Sequence, residues 1–394
     1  MRNKKKVMLI KGGMKKGRVC FLALLLINYY LLSAYDAGLV LDQTFAYEGA
    51  GDDNTFTLNG ILIPRLSGLL GDNGQYFISA GLNYQNNPWG FIPELIEAEL
   101  FFNFNGGDFR IGRTMYQDPL GFIIDGYFDG GQLNFDTRYG VFSAGAWYTG
   151  FICKRRANIE MTVEEYRHNN AAIDYNDFFD TYFAPRRLFS ALEWEHPILS
   201  QHLRLKMSLI GQFDLSEEEL NSQYVVAKMT MPFGLFTFDL GGSFNLIQHS
   251  GNMERAFAAE LGFGWMWQRQ GLSFLGRYSS GYFGSLTPFL PVVSVSQGNV
   301  NKLPLIGMTV LSLDYNMRIN QELSFNIRPA YFIDNYDEDG GLWGAEIFGK
   351  IDWSPFSDIK FSLGGGVFLP SLGNFAPDDK SIWKAEANVV VSFF

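Results

Sequence analysis

Charged side chains of both signs stand close together in one short part of the sequence, where they could bind or orient a polar solute. The basic pair is Arg110 and Arg113, and Asp125, Tyr127 and Asp129 follow soon after. Acidic and basic groups that face each other across water create a transverse field, which orients hydrated solutes. The alternative is that these charges pair with one another and only stiffen a protein wall. Either chemistry is non-covalent.

Covalent catalysis finds less support. The four His residues are scattered, and only His249 and Ser250, with Glu254 nearby, suggest a hydrolase. No Ser, His and carboxylate set has a credible arrangement, so a solvated loop His is the favoured interpretation. Cys153 is left alone once Cys20 is removed with the N-terminal segment described below, and a single Cys forms neither an internal disulfide nor a metal site. We therefore expect no enzyme activity, no metal and no cofactor.

Two charged segments are best explained as loops. The acidic stretch Asp334–Gly341 could hold Ca²⁺ weakly, although a solvated loop is the better interpretation. The basic run Lys154–Arg156, near Arg186 and Arg187, could contact anionic lipid or attract anionic solutes. The acids between these basic residues could instead make a self-paired helical loop, which would narrow a channel if it folded inward.

In the segments that must position these groups, apolar and polar residues alternate with a period of two. In Leu311–Arg318, residues 311, 313, 315 and 317 are apolar and the residues between them are polar or charged. Segments 96–105, 203–209, 236–245, 323–331 and 343–353 repeat the pattern. A period of two places one set of side chains on each face of a β-strand. The apolar faces begin and end with Phe, Tyr or Trp, which favours strands that face lipid over a soluble sandwich.

The composition agrees with a membrane-embedded sheet. The chain has 394 residues, of which 16% are aromatic and 18% charged, with 43 Gly. Its mean hydropathy of −0.02 excludes a polytopic helical membrane protein, which needs repeated apolar runs of about 20 residues. A strand that averages one lipid face with one water face gives a value near zero. Aromatic residues suit pleated surfaces, and Gly marks turns and bends.

The N-terminus has the layout of a secretory signal peptide. Eight Lys and Arg precede an apolar segment that begins at Val19 and ends at the small residues Ser33 and Ala34. We expect cleavage after Ala34, which makes residues 1–34 the signal peptide and residues 35–394 one barrel domain; a membrane anchor is the alternative. Removal leaves 23 Lys and Arg against 41 Asp and Glu, a net charge near −18. Such acidity argues against a nucleic-acid partner.

The spacing of turns predicts about 18 strands, with 16 to 18 as the range, in an antiparallel up-and-down transmembrane β-barrel. Connections after even-numbered strands are tight, as in Gly71–Gly74 and Gln268–Gly271. After odd-numbered strands we expect mostly longer, acidic connections, including Glu48–Asn54, and two very long ones, residues 151–185 and 283–303. Short periplasmic turns and long outer loops are typical of outer-membrane barrels.

One segment and the C-terminus resemble known porin-type proteins. Arg110-Ile111-Gly112-Arg113, followed by a loop and a strand with Asp125-Gly126 and Asp129-Gly130, is similar to the broad porin and alginate-export superfamily. The terminal Phe393 and Phe394 resemble the signal that barrels present to the barrel-assembly machinery, with the in-phase aromatic one residue before the end. That departure suggests a non-proteobacterial diderm source. The resemblance implies an outer-membrane channel of a Gram-negative-type envelope and names no substrate.

The sequence therefore predicts a porin-like channel for passive or weakly selective diffusion of small hydrophilic solutes. Alternatives are a specific channel for oligosaccharides or hydrophobic compounds, and an adhesin or structural barrel. Predicted partners are outer-membrane lipid, the barrel-assembly machinery, small-molecule solutes and a homo-oligomer. The predicted pore-lining residues are Glu97, Glu99, Arg110, Arg113, Asp125, Tyr127, Asp129, Arg204, Lys206, Lys228, Asp239, Arg277, Arg328, Glu346 and Lys350.

Overall fold

The computed structural model describes residues 35–51, 53–86, 89–196, 203–216, 219–249, 251–336, 340–372 and 380–393. The predicted signal peptide, residues 1–34, lies outside the described residues, as do Phe394 and most of the acidic turn after Tyr336.

Eighteen strands form one antiparallel sheet. They are β1 Tyr35–Ala50, β2 Asp53–Leu70, β3 Gly74–Asn86, β4 Trp89–Phe104, β5 Gly107–Gln117, β6 Asp125–Thr137, β7 Gly140–Tyr148, β8 Arg187–Glu195, β9 Arg204–Asp214, β10 Asn221–Phe233, β11 Phe236–His249, β12 Asn252–Trp267, β13 Gln270–Ser279, β14 Met308–Arg318, β15 Leu323–Asp334, β16 Gly341–Phe356, β17 Ile359–Leu369 and β18 Ile382–Phe393. Each pairs with its sequence neighbours, and β18 pairs with β1 from Leu39↔Phe393 to Ala50↔Ile382. The sheet is thus a closed up-and-down barrel, and closure satisfies the backbone without an exposed edge.

Long-range contacts identify the interior face. The β13–β14 loop, residues 280–307, accepts a hydrogen bond from Tyr224 on β10 at Leu290 and one from Lys384 on β18 at Asn299. Its backbone also donates to Glu346 on β16. One loop can reach strands so far apart only across the inside of the barrel. The strand positions that carry these side chains therefore face the barrel interior. The alternate positions carry the half-exposed apolar side chains of the outer wall.

The predicted alternation holds in most strands, and its exceptions have local causes. Ile96 was expected to share a face with Leu100, but a bulge opposite Ser79 and Ala80 shifts the register and leaves Ile96 buried. The connection predicted at Glu48–Asn54 is a tight turn, because β1 continues to Ala50 and β2 begins at Asp53. The spacing of turns predicts a strand that begins near Gly121, but β6 begins at Asp125.

Three short helices lie in the β7–β8 loop, residues 149–186. They are α1 Lys154–Ala157, α2 Val163–Asn170 and α3 Phe178–Tyr182. Helix α2 begins with a capping box, in which Glu165 N–H donates to the Thr162 hydroxyl and the Glu165 carboxylate accepts from Thr162 N–H. A 3₁₀ turn, Pro370–Leu372, follows β17. None of the described helices has the length and apolarity needed to span a bilayer.

Candidate pore and its constriction

An apolar core fills one side of the barrel interior. It is made by the β5–β6 loop (residues 118–124), the β7–β8 loop and the β13–β14 loop, which meet through Phe122, Ile152 and Phe289. Interior side chains of β7 to β17, such as Trp147 and Phe332, pack against them. This side of the barrel is therefore closed by close-packed side chains.

The upper part of the β5–β6 hairpin leaves the wall and crosses this interior. The β4–β5 ladder ends at Ala98↔Arg113, beside Gly112, whose φ of 119° belongs to the region that favours glycine. Beyond that point Tyr116 donates a 3.1 Å hydrogen bond to Glu193 on β8. The tip touches β11, since a Cβ on Gly241 would lie 2.3 Å from Leu120. The hairpin thus lies over the inner face of β7–β11.

Asp118 organises the hairpin tip. Its buried carboxylate accepts four backbone N–H groups, from Leu120 (2.8 Å), Gly121 (3.1 Å), Ile123 (2.9 Å) and Ile124 (2.9 Å). Burial raises the pKa of this carboxyl, and the four donors oppose the rise. This cradle explains why β6 begins only at Asp125, because the residues before it are held in a loop.

Asp118→Asn should loosen the tip. The amide keeps one acceptor oxygen but turns an NH₂ toward two of the four donors, and each buried N–H left unpaired costs about 1–3 kcal/mol. We expect a lower unfolding free energy in detergent and faster limited proteolysis within residues 118–124. Asp136→Asn, an exposed site on the same hairpin, should leave both unchanged. Equal protease resistance of the two variants would show that the cradle does not hold the tip.

The other face of the hairpin turns toward β1–β4. Arg113 makes a two-pronged ion pair with Asp129, at 2.8 and 2.7 Å, and also donates to the carbonyl of Leu95 on β4. Asp129 lies on the same face of β6 as Leu133 and Phe135, and in the lower half of the strand that face forms the outer wall. One face of β6 therefore changes from lipid-facing to interior where the hairpin bends inward.

Two polar cavities lie at successive heights along the β1–β5 wall opposite. The upper cavity measures about 470 Å³, and its lining includes Asp42, Asn59, Asn83, Ile92, Glu94, Arg155 and Arg156. The lower cavity measures about 500 Å³, and its lining includes Ser67, Gln75, Phe77, Glu99, Phe101 and Arg110. Between them the register places Arg65 opposite Ser79, and Ser79 opposite Glu97. This row of Arg65, Ser79 and Glu97 lies between the two cavities along the wall.

The structure divides the predicted pore residues into three groups. Glu97, Glu99 and Arg110 lie on the wall beside the cavities, and Arg113, Asp125, Tyr127 and Asp129 lie on the hairpin face. A second group pairs along the interior wall, where Lys206 meets Glu193, Lys228 and Arg277 meet Glu260, Arg328 meets Asp314, and Lys350 meets Asp352. Arg204 is exposed on the interior parity of β9, and Asp239 accepts a hydrogen bond from Thr230.

Glu346 forms the third group by itself. It is 2% exposed and accepts hydrogen bonds from the backbone N–H groups of Asn299 (2.7 Å), Val300 (2.9 Å) and Asn301 (3.0 Å). Its carboxylate is thus taken up by the β13–β14 loop and anchors that loop inside the barrel.

Sequence reasoning missed several residues at the cavities. Arg65 and Asp42 were not selected, nor was Glu94, which makes a buried ion pair with Arg156. A signal existed for Arg65, since it is the only charged residue between Asn54 and Leu70. No signal pointed to the Glu94–Arg156 pair, because it joins a strand to a distant loop.

Comparison with solved structures places this fold among porin-like outer-membrane β-barrels. OccK2 (OpdF) of Pseudomonas aeruginosa, in complex with glucuronate, gives a TM-score of 0.69 at 12% identity over 92% of this chain and 99% of that chain. OccAB2 of Acinetobacter baumannii gives 0.65 at 11% identity over 92% and 98%. OccK5 (OpdH) of Pseudomonas aeruginosa gives 0.64 at 12% identity over 92% and 99%. No family model matches the chain, and its sequence matches no curated protein. The likeness is one of fold.

Proposed function

We propose that this protein is an outer-membrane channel for passive or weakly selective diffusion of small hydrophilic solutes. The observation that carries the proposal is the pair of polar cavities, about 470 and 500 Å³, on the wall that the apolar core leaves unfilled. Water-filled lumens of this kind are what barrels of 16 to 18 strands enclose. The solute passes between the hairpin face and β1–β4.

The outer surface supports an outer-membrane location. Apolar side chains cover the wall, and aromatic pairs stand near both ends of the strands: Tyr47–Trp383 at the long-loop end and Trp265–Trp267 at the short-turn end. Aromatic girdles at both interfaces are typical of such barrels. We infer export through the signal peptide of residues 1–34 and assembly through the C-terminal strand, where Phe393 is 55% exposed on the outer parity. Homo-oligomerisation belongs to the proposal as well.

Planar-bilayer recording of the full-length protein tests the channel, and charge variants test its path. Replacing Glu97 and Glu99 together by Gln should make the channel more selective for anions, whereas Arg65→Gln should make it more selective for cations. Both changes are measured as shifts of the reversal potential. Glu164→Gln is the matched control, because Glu164 is exposed on α2 and, among the described residues, forms an ion pair only with Arg167, at 3.9 Å. A closed barrel would refute the proposal, and reversal potentials equal to that of the control would place the path elsewhere.

A substrate-specific channel is the second candidate. Asp42 and Arg155 line the upper cavity, and neither has an ion-pair partner among the described residues. The solved OccK2 structure contains glucuronate. Glucuronate added to one side of a bilayer should interrupt the current if the upper cavity binds such solutes, and Arg155→Gln should abolish the interruptions. Unmodified current in wild type would leave general diffusion as the function.

A further inference from the structure

A third cavity, with a different lining, lies inside the barrel at its long-loop end. It measures about 310 Å³, and its described lining is Asn301, Leu303, Trp343, Phe368, Pro370, Lys380 and Ile382. Phe368 pairs with Ile382 at the upper end of the β17–β18 ladder, whereas Asn301 and Leu303 belong to the β13–β14 loop. We call this cavity the mouth pocket. Among the described residues, it shares no lining residue with the two polar cavities of the β1–β5 wall.

A β-bulge aims an aromatic ring toward the mouth pocket. The β15–β16 register shifts between Phe332 and Ile333, and Trp343 is the extra residue on β16. The next residue, Gly344, has a φ of 144°, in the region that favours glycine. Bulges of this kind re-aim a side chain. Trp343 packs against the main apolar core and so lines the pocket from inside the barrel.

Backbone hydrogen bonds hold the loop side of the mouth pocket in place. Asn301 N–H donates to Glu346 at 3.0 Å, and the Asn301 carbonyl accepts from Leu303 N–H at 3.0 Å. The Leu303 carbonyl in turn accepts from Gln297 N–H at 2.8 Å. Since strands β16 to β18 form the rest of the lining, the pocket is already formed before a ligand binds. A pre-formed site lowers the ordering cost of binding.

The lining is apolar except at one amide. Five of the seven described lining residues are aromatic or aliphatic. The Asn301 side chain has no hydrogen-bond partner among the described residues. Lys380 contributes its aliphatic stem, because a Cβ on Gly51 would lie 2.9 Å from Lys380 Nζ, which places the ammonium beside the β1–β2 turn. A mostly hydrophobic lining with few polar groups is typical of small-molecule sites.

The volume and the amide together define the ligand. A cavity of about 150 Å³ lined by Leu, Ile and Phe binds one benzene molecule, and the mouth pocket is about twice as large. Two fused rings therefore suit it. The side-chain carbonyl of Asn301 can accept one N–H or O–H from the ligand. A charged ligand would lose hydration in this lining without gaining an ion pair.

We propose that the mouth pocket binds small, uncharged bicyclic aromatic compounds with one hydrogen-bond donor, the indole class. The rings pack against Trp343 and Leu303, and the ligand N–H donates to the side-chain carbonyl of Asn301. A bound ligand therefore bridges the β13–β14 loop to the barrel wall. This site goes beyond the proposed channel, because binding there requires no axial diffusion.

Fluorine NMR of the full-length protein in lipid nanodiscs tests the site, with indole as the probe. The protein carries 5-fluorotryptophan, and the resonance missing from Trp343→Phe identifies Trp343. We expect indole to shift this resonance saturably. Trp265 and Trp267, identified in the same way, pair at the short-turn end and report indole that enters the lipid. Their resonances should show no saturation. Indene, which has a similar ring shape but no N–H, should bind about fivefold more weakly.

Paired variants test the role of the amide. Asn301→Ala should weaken indole binding about fivefold and remove the preference for indole over indene, because the acceptor is lost. Asn299→Ala is the matched control, since its N–H also donates to Glu346 but the residue is not part of the lining. Ile382→Trp, which fills the pocket, should abolish saturable binding while the barrel keeps its heat-modifiable mobility.

Several results would overturn the proposal. They are a Trp343 resonance that does not saturate, equal indole binding by Asn301→Ala and Asn299→Ala, and saturable binding that persists in folded Ile382→Trp. Tighter binding of indole-3-carboxylate than of indole would also overturn it, because the pocket would then recognise anions. None of these measurements uses ionic current, so their outcome is independent of whether the barrel conducts.

Discussion

Glu346→Ala is expected to raise the single-channel conductance about twofold or more, because it frees a loop that occupies the lumen. Three backbone N–H groups of residues 299–301 lose their acceptor, and each costs about 1–3 kcal/mol when left buried and unpaired. The loop can regain partners only by moving into water. Residues 299–301 keep a hydrogen bond to the wall from Lys384 Nζ to Asn299 O, at 3.4 Å, while the rest of the loop stays anchored through contacts such as Tyr224 with Leu290 O.

Paired variants isolate that effect. Glu346→Gln keeps one neutral acceptor and should give an intermediate, noisier conductance. Asp352→Ala removes a carboxylate from the interior face of the same strand, where it pairs with Lys350 and Lys360 and not with the loop. If Asp352→Ala raises the conductance as much as Glu346→Ala does, the effect is one of wall charge, and the anchoring role is wrong.

Arg187→Ala is expected to destabilise the barrel most strongly. The side chain is fully buried and ion-paired with Glu165 of α2 at 2.7 Å and with Asp214 of β9 at 3.4 Å. It also donates to Leu220 O at 3.1 Å. Removing the cation leaves two buried carboxylates without this cationic partner, a loss of about 3–5 kcal/mol. We expect unfolding in detergent at a lower midpoint concentration of urea. We also expect a smaller fraction of protein that shows heat-modifiable electrophoretic mobility.

A charge-free replacement separates pairing from packing. Arg187→Met combined with Glu165→Gln and Asp214→Asn should recover much of the stability, because no buried charge then lacks a partner. Arg186→Ala, the exposed neighbour, should cost little. A single Arg187→Ala variant as stable as Arg186→Ala would mean that the buried triad contributes no net stability.

The strand order and most strand ends could be predicted because a lipid face and a water face impose a period of two. The errors arose where one residue changes the phase. At Ile96 a bulge shifts the register, and at Asp118 one carboxylate holds four N–H groups and delays β6. Neither bulge nor cradle alters the hydropathy pattern enough to be visible in the sequence.

The candidate pore was predictable only in part. Arg113 and Asp129 stood out as charges in a strand, but parity alone would place them on the lipid face with Phe135. Their interior position follows from the hairpin bending inward at Gly112, which the structure shows and the pattern does not. Glu346 looked like any interior carboxylate, and only its contacts with residues 299–301 distinguish an anchor from a free pore charge.

By itself the sequence determined a closed antiparallel barrel with short turns at one end, since only alternating strands can satisfy both lipid and water. The tertiary structure decided which side of the barrel is filled. Three loops bury apolar side chains against β7–β17, while the β1–β5 wall keeps its polar cavities. That choice depends on contacts between residues far apart in the chain, such as Ile123 with Val292. A pattern with a period of two carries information about the two faces of a strand, and none about which distant segment will cover the inner one.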